Sequence, residues 1–228
     1  MKKFLVACIL SLAVIGCIPP QVETYLDQTV QVYIERDGNI RGHGSGVIVE
    51  DGILTAGHVV NTITDDDRIM IKYRDGHTAE VTIDKLDYWR EQSSPRADLA
   101  LLTVEEPYKY RAAEIECSAP TLGDNVYVVG NPLNMRWVLT RGYVTSLVPR
   151  EDQAKGAWIQ TDATVTKGNS GGPMFNKKGK VIGIVSHGSL VRFGMSQAPA
   201  GFNFGVSGER ICAFLDVRPD RYGNRNVT

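Results

Sequence analysis

The chain has 228 residues, 43% of them hydrophobic and 22% charged, a balance that suits a globular protein with one good core or two small ones packed together. A formal net charge of -1 leaves no electrostatic footprint for nucleic acid, and the apolar content argues against a disordered chain. The 23 glycines, set among many Val, Ile and Thr residues, point to an all-β protein rich in turns.

The first residues read as an export segment. Met1-Lys2-Lys3 is a positive start, and the apolar run from Phe4 to Gly16 is too short to cross a bilayer as a helix. The run ends in Val14-Ile15-Gly16-Cys17, which resembles the bacterial lipobox. On that resemblance residues 1–16 are a lipoprotein-type signal peptide and Cys17 carries a lipid that anchors the chain to a bacterial membrane. A plain secretory signal that happens to contain a cysteine is the blander reading. Ile18-Pro19-Pro20 suggests a stiff, extended path, so residues 17–28 are expected to form a tether. Of the four cysteines, Cys8 and Cys17 belong to the export segment. Cys117 and Cys212 remain in an oxidising setting where two thiols can pair, although spacing alone gives no distance between them.

From Thr29 onward the pattern is one of short apolar runs broken by turn dipeptides. Strands are predicted at 30–34, 44–49, 53–56, 69–73, 78–86 and 99–104, with turns at Asp37-Gly38, Asp51-Gly52 and Asp75-Gly76. Six strands suffice for a small barrel over about 29–105. Residues 106–121 read as a linker, after which the pattern restarts. Strands at 125–130, 137–146, 157–161, 173–175, 181–186 and 202–206, with a turn at Lys178-Gly179, make a second barrel over about 122–207. Ser207 is a plausible cap for one helix over 208–216, and residues 217–228 form a polar tail.

The chemistry concentrates in Lys167-Gly168-Asn169-Ser170-Gly171-Gly172-Pro173. Glycines on both sides of Ser170 let the backbone turn tightly and present bare N–H groups, which suits a nucleophile with an oxyanion site. The glycines alone would equally suit a phosphate-binding loop or an ordinary turn. His58 follows a strand directly in Thr55-Ala56-Gly57-His58, and histidine is the side chain best suited to take and return a proton near neutral pH. In isolation it would more often be structural. Asp98 stands at the mouth of the apolar run Leu99-Ala100-Leu101-Leu102, where a carboxylate needs a partner and an imidazole N–H is a fitting one. The bland alternative is a strand-end Asp that accepts backbone N–H groups.

These three segments, in the order His, Asp, Ser, resemble the signatures of the chymotrypsin/trypsin-like serine protease family. Gly44-Ser45-Gly46-Val47-Ile48-Val49 and Ile159-Gln160-Thr161-Asp162 are closer to its bacterial high-temperature-requirement, or Deg-type, branch. The resemblance covers residues 29–216. It implies two six-stranded antiparallel barrels with the active site between them, a short C-terminal helix, polypeptide substrates and no cofactor. In that scheme Ser170 attacks the peptide carbonyl, His58 carries the proton, Asp98 holds the imidazole, and the N–H groups of Gly168 and Ser170 form the oxyanion hole. No metal is expected, since His43, His58, His77 and His187 lack paired spacing with cysteines or carboxylates.

Some features depart from the family pattern. Asn169 stands where digestive members carry an aspartate that pairs with a freshly cut N-terminus, so activation by zymogen cleavage is not expected. Neither the PDZ domain nor the cage assembly of Deg-type enzymes is carried over. Ser186, His187 and Gly188 resemble the family segment that lines the primary specificity pocket, and Thr164 matches the pocket floor. A neutral Thr164 with Gly188 and Gly201 suggests an open pocket for small or medium uncharged side chains; Lys167 and His187 raise an acidic preference as the second choice. The resemblance also suggests a Cys117–Cys212 disulfide, which some members carry between linker and C-terminal helix. The rival readings are a catalytically silent binding module on the same fold and an esterase using the same residues.

Overall fold

A computed structural model describes residues 19–88, 98–105, 109–147, 158–193 and 196–216. The expected signal peptide, Cys17 and the polar tail lie outside these residues. A helix α1 (Pro20–Asp27) leads into β1 (Thr29–Arg36), β2 (Asn39–Val49) and β3 (Gly52–Thr55); a one-turn helix α2 (Gly57–Val60) precedes β4 (Arg68–Lys72), β5 (Thr78–Asp87) and β6 (Leu99–Val104). These six strands close into an antiparallel barrel in the order β1-β2-β3-β6-β5-β4. The second barrel comprises β7 (Asn125–Gly130), β8 (Val138–Ser146), β9 (Trp158–Thr161), β10 (Pro173–Phe175), β11 (Val181–Phe193) and β12 (Ser196–Ser207). It closes in the order β10-β11-β12-β9-β8-β7, and α3 (Gly208–Phe214) follows. The all-β, two-barrel architecture is the one expected from the sequence.

Strand periodicity explains why these runs are almost continuously apolar. In β6, Ala100 and Leu102 point into the core of the first barrel, while Leu99 and Leu101 point outward into a second core between the barrels. In β11, where a bulge opposite Met174 and Phe175 breaks the regular alternation, Ile182 and Val185 fill the second barrel, whereas Val181 and Ile184 join Leu99 and Leu101 in the seam. The barrels are therefore joined by a packed apolar layer, and a site at their junction has a rigid floor.

The tether expected over 17–28 is corrected over most of its length, because residues 20–27 form α1. Pro20 at the first helical position fixes a helix-compatible φ, and its missing N–H costs nothing there. An isolated helix of 8 residues would not persist in water, so burial holds it. Tyr25 and Leu26 enter the seam; Tyr25 stacks on Phe175 at 4.5 Å and donates its hydroxyl to Asn176 O at 3.0 Å. Burial, with Tyr127 close by, pushes the Tyr25 phenol up to about 12. Arg74 pairs with both Glu23 and Asp27 and ties α1 to the turn between β4 and β5.

The hairpin of β11 and β12 is also longer than the apolar runs at 181–186 and 202–206 suggest. Its backbone stays paired out to Phe193 and Ser196, across a stretch without apolar alternation. At the C-terminal end Ser207 caps α3, accepting the Arg210 N–H at 3.3 Å. Cys117 in the linker is bonded to Cys212 in α3, with their Cα atoms 5.7 Å apart.

Candidate active site

His58 is delivered by the step from β3 into α2, and Asp98 by the residue that enters β6, the strand paired with β3. His58 Nδ1 lies 2.9 Å from Asp98 Oδ2 and 3.1 Å from Oδ1, and the His58 backbone N–H donates to Oδ1 at 2.9 Å. Ser186 donates its hydroxyl to Oδ2 at 2.5 Å. Asp98 has a left-handed φ of 52°, which costs about 1–2 kcal/mol for most side chains and is best tolerated by Asp and Asn. The carboxylate thus collects three donor groups in a mostly buried position. It offers only acceptors, so the imidazole hydrogen belongs on Nδ1 and Nε2 is left with a free lone pair.

Ser170 lies in the turn between β9 and β10, on the other barrel. Gly171 has a φ of 83°, and a Cβ there would collide with Thr55 Oγ1 and Ser45 O, so the loop presses directly on β2 and β3. The N–H groups of Asn169, Gly171 and Gly172 donate to Thr166 O, Val185 O and Asn169 O at 3.0, 2.7 and 2.9 Å. Those of Gly168 and Ser170 have no backbone acceptor among the described residues. Two unspent donors flanking a hydroxyl are the arrangement that stabilises a developing oxyanion. Ser170 Oγ itself donates to Ser186 O at 3.2 Å and is not hydrogen-bonded to His58.

Several residues expected to bind substrate are found in different settings. Ser186 is buried; its hydroxyl orients Asp98, and its carbonyl accepts from Ser170 Oγ. His187 is exposed, stacked on Phe204 at 5.0 Å and edge-on to Trp158 at 5.4 Å. Thr164 and Lys167 are exposed; Thr164 O accepts from Thr140 Oγ1 at 2.8 Å. Gly188 abuts Asn203, whose Oδ1 would be 2.8 Å from a Cβ at Gly188, while the space beside Gly201 is open.

Asn203 was not singled out in the sequence, nor were Ser45 and Asn131. Asn203 is buried in β12 and donates Nδ2 to Ala163 O at 2.7 Å, in the segment leading to the nucleophile. Nothing in the sequence signals this, since the alternation of Phe202, Phe204 and Val206 predicts Asn203 on the outer face, whereas the fold buries Asn203 and exposes Phe202. Ser45 and Asn131 are completely buried and bridge the barrels beneath Gly168. Two buried side-chain atoms near this loop, His43 Nε2 and Asn169 Oδ1, have no hydrogen-bond partner.

Comparison with known proteins gives a match to the trypsin-like peptidase domain over residues 44–184, a span containing His58, Asp98 and Ser170. The chain is 32% identical to serine protease HTRA1B of Danio rerio over 187 residues, which is 78% of this chain and 35% of that protein. It is 29% identical to serine endoprotease DegS of Escherichia coli over 182 residues, covering 78% of this chain and 48% of that protein. A crystal structure of the serine endoprotease from Yersinia pestis superimposes with a TM-score of 0.68 at 29% identity, covering 86% of this chain and 64% of that one. The chain thus spans about half or less of the length of these two relatives.

Proposed function

The chain belongs to the trypsin-like peptidase domain family, and from that premise we propose that it is a serine endopeptidase of the bacterial envelope. The observation that carries this reading is that Ser186 joins the His58–Asp98 pair to Ser170, donating its hydroxyl to Asp98 and accepting from Ser170 Oγ, in a loop with two unspent N–H donors. Residues 29–216 form the protease domain in this proposal, residues 1–16 the signal, and Cys17 the lipid attachment that holds the mature chain on a membrane.

In this reading a peptide carbonyl enters beside Gly168, and Ser170 Oγ rotates from Ser186 O toward His58 Nε2. A change of one staggered rotamer costs little once substrate supplies new contacts, and catalytic hydrogen bonds often close only in the complex. Ser170 Oγ bonds to the carbonyl carbon as His58 takes its proton, and the negative oxygen is held by the Gly168 and Ser170 N–H groups. Asp98 steadies the imidazolium, which then protonates the leaving amine as the C–N bond breaks. Water, deprotonated by His58, releases the acyl group from Ser170. Exposed Thr164 and the open space at Gly201 support substrates with small or medium uncharged side chains before the cut.

The test is to treat the exported protein with a sulfonyl fluoride and map the adduct while following hydrolysis of a peptide library. Labelling at Ser170, with both labelling and cleavage abolished in Ser170→Ala, is the expected result. Folded protein that neither labels nor cleaves would mark it as a binding module. Retention on membranes by Cys17→Ser as firmly as by the parent would remove the lipid anchor from the proposal.

A further inference from the structure

The oxyanion site depends on where four carbonyls in the nucleophile loop point, because a trans peptide sends each N–H opposite to the preceding carbonyl. The Gly168 N–H is aimed by Lys167 O, which accepts from Leu133 N at 3.0 Å. The Ser170 N–H is aimed by Asn169 O, which accepts from Gly172 N at 2.9 Å. The two remaining carbonyls, Gly168 O and Ser170 O, are both held by one residue of the opposite barrel. Ser45 Oγ donates to Gly168 O at 2.7 Å, and Ser45 N donates to Ser170 O at 2.8 Å.

We propose that the Ser45 hydroxyl is a positioning group for oxyanion binding: it fixes the Gly168–Asn169 peptide, which joins the two peptides that carry the donor N–H groups of Gly168 and Ser170. This inference rests on the endopeptidase reading and adds a residue to it. A hydroxyl has one hydrogen and two lone pairs, and all three are used here. Asn131 N and Asn131 Nδ2 donate to Ser45 Oγ at 2.9 and 3.2 Å, which leaves the hydroxyl hydrogen for Gly168 O. Asn131 is itself immobilised: Nδ2 also reaches Val30 O at 3.2 Å, and Oδ1 accepts from Trp137 N at 3.2 Å. Its carbonyl lies against Gly168, where φ is 98° and any Cβ would collide with it. Ser45 O, in turn, accepts from Thr55 Oγ1 at 2.7 Å, three residues before His58. One buried serine therefore links the nucleophile loop, the peptide between its two oxyanion donors and the strand that delivers the base.

Ser45→Ala keeps the backbone N–H to Ser170 O but releases Gly168 O and strands Asn131 N, so the nucleophile stays while the peptide that links the two oxyanion donors loosens and lets their relative aim drift. The experiment measures kcat and KM on a peptide substrate, per active site titrated with a sulfonyl fluoride, together with affinity for a peptidyl boronic acid. Removing one oxyanion donor outright costs about 10²–10³ in kcat, and misaiming one sets a smaller expectation of about 10–100-fold. KM should stay within about threefold, boronate affinity should fall in parallel with kcat, and Ser45→Cys, a weaker donor, should be intermediate. If Ser45→Ala does not fold, Ser45→Cys carries the same comparison. Unchanged kcat per titrated site with lowered thermal stability would reduce Ser45 to a structural residue and overturn the proposal. A parent protein that cannot be titrated at Ser170 would instead overturn the endopeptidase reading.

Discussion

Asp98→Asn isolates the electrostatic and tautomeric part of the site, because it changes one oxygen to an amide without changing shape. Asp98 receives the His58 backbone N–H and Nδ1–H and the Ser186 hydroxyl. If the new amide keeps its oxygen toward the His58 backbone N–H, its NH2 faces Nδ1 and Ser186 Oγ. The hydroxyl can turn and accept, but the imidazole must then present a lone pair at Nδ1 and carry its hydrogen on Nε2. That tautomer cannot take the Ser170 proton. If the amide flips, its NH2 meets the backbone N–H donor to donor, and a buried hydrogen bond is lost. Both orientations disable the base or its support. The expected loss in kcat is about 10³–10⁴-fold, or about 4–5.5 kcal/mol of transition-state stabilisation, with the folded state intact. The assay is steady-state hydrolysis of a quenched fluorescent peptide alongside the rate of Ser170 sulfonylation, with circular dichroism as the control for folding. Activity within tenfold of the parent would falsify the tautomer argument, because no other group near His58 was given the task of holding Nδ1–H.

Four further outcomes follow from packing and charge. Replacing both Cys117 and Cys212 by Ser opens a bridge between residues 95 apart, which chain-entropy accounting values at about 4–5 kcal/mol; guanidinium melts should show the shift, and unchanged midpoints would mean that the thiols are not bonded in the exported protein. Gly171→Ala should give little folded, active enzyme, since its Cβ collides with Thr55 and Ser45; near-normal kcat would contradict the loop geometry. Tyr25→Ala should cost about 3–5 kcal/mol in unfolding free energy by emptying a stacked site in the seam, whereas a loose tether would give almost none. Arg36 and the Thr64 N–H hold the Asp67 carboxyl well below its ordinary value of 3.8, so the stabilisation is complete above that pH and is lost as acid protonates it. Asp67→Asn should therefore flatten the acid side of the stability profile, and an unchanged slope below pH 4 would refute the assignment.

The barrels were legible because strand burial on two faces leaves an unmistakable trace: runs such as Leu99-Ala100-Leu101-Leu102, punctuated by Asp-Gly turns. The nucleophile, base and acid stood out through local pattern, since a serine between glycines and a lone carboxylate before an apolar strand each pose a chemical problem. What stayed hidden was whatever depends on partners distant in the chain. α1 is too short and too proline-led to announce itself, and it exists because Tyr25 finds Phe175, 150 residues away. Ser186 has an unremarkable position at the end of an apolar run, and only the fold turns its hydroxyl onto Asp98. Ser45 and Asn131 are ordinary polar residues in sequence; their meaning comes from a hydrogen-bond capacity filled across two barrels.

The position of Asn169 connects the site to the way the chain is held together. A buried aspartate there would need a positive partner, and its supply by a cut N-terminus would couple activity to proteolytic processing. Asn169 is buried with an uncharged amide whose Oδ1 is unpartnered, so this loop imposes no such charge requirement. Its N–H and carbonyl are engaged by Thr166 and Gly172 within the loop, and the outer carbonyls are gripped by Ser45. The N-terminal segment contributes by a different route: α1 packs Tyr25 onto Phe175 in β10, the strand that leaves the nucleophile loop. Order in the site therefore follows from burial in the seam between the barrels, and perturbations of that seam should lower activity only as far as they disturb the carbonyls of the nucleophile loop, from Lys167 to Ser170.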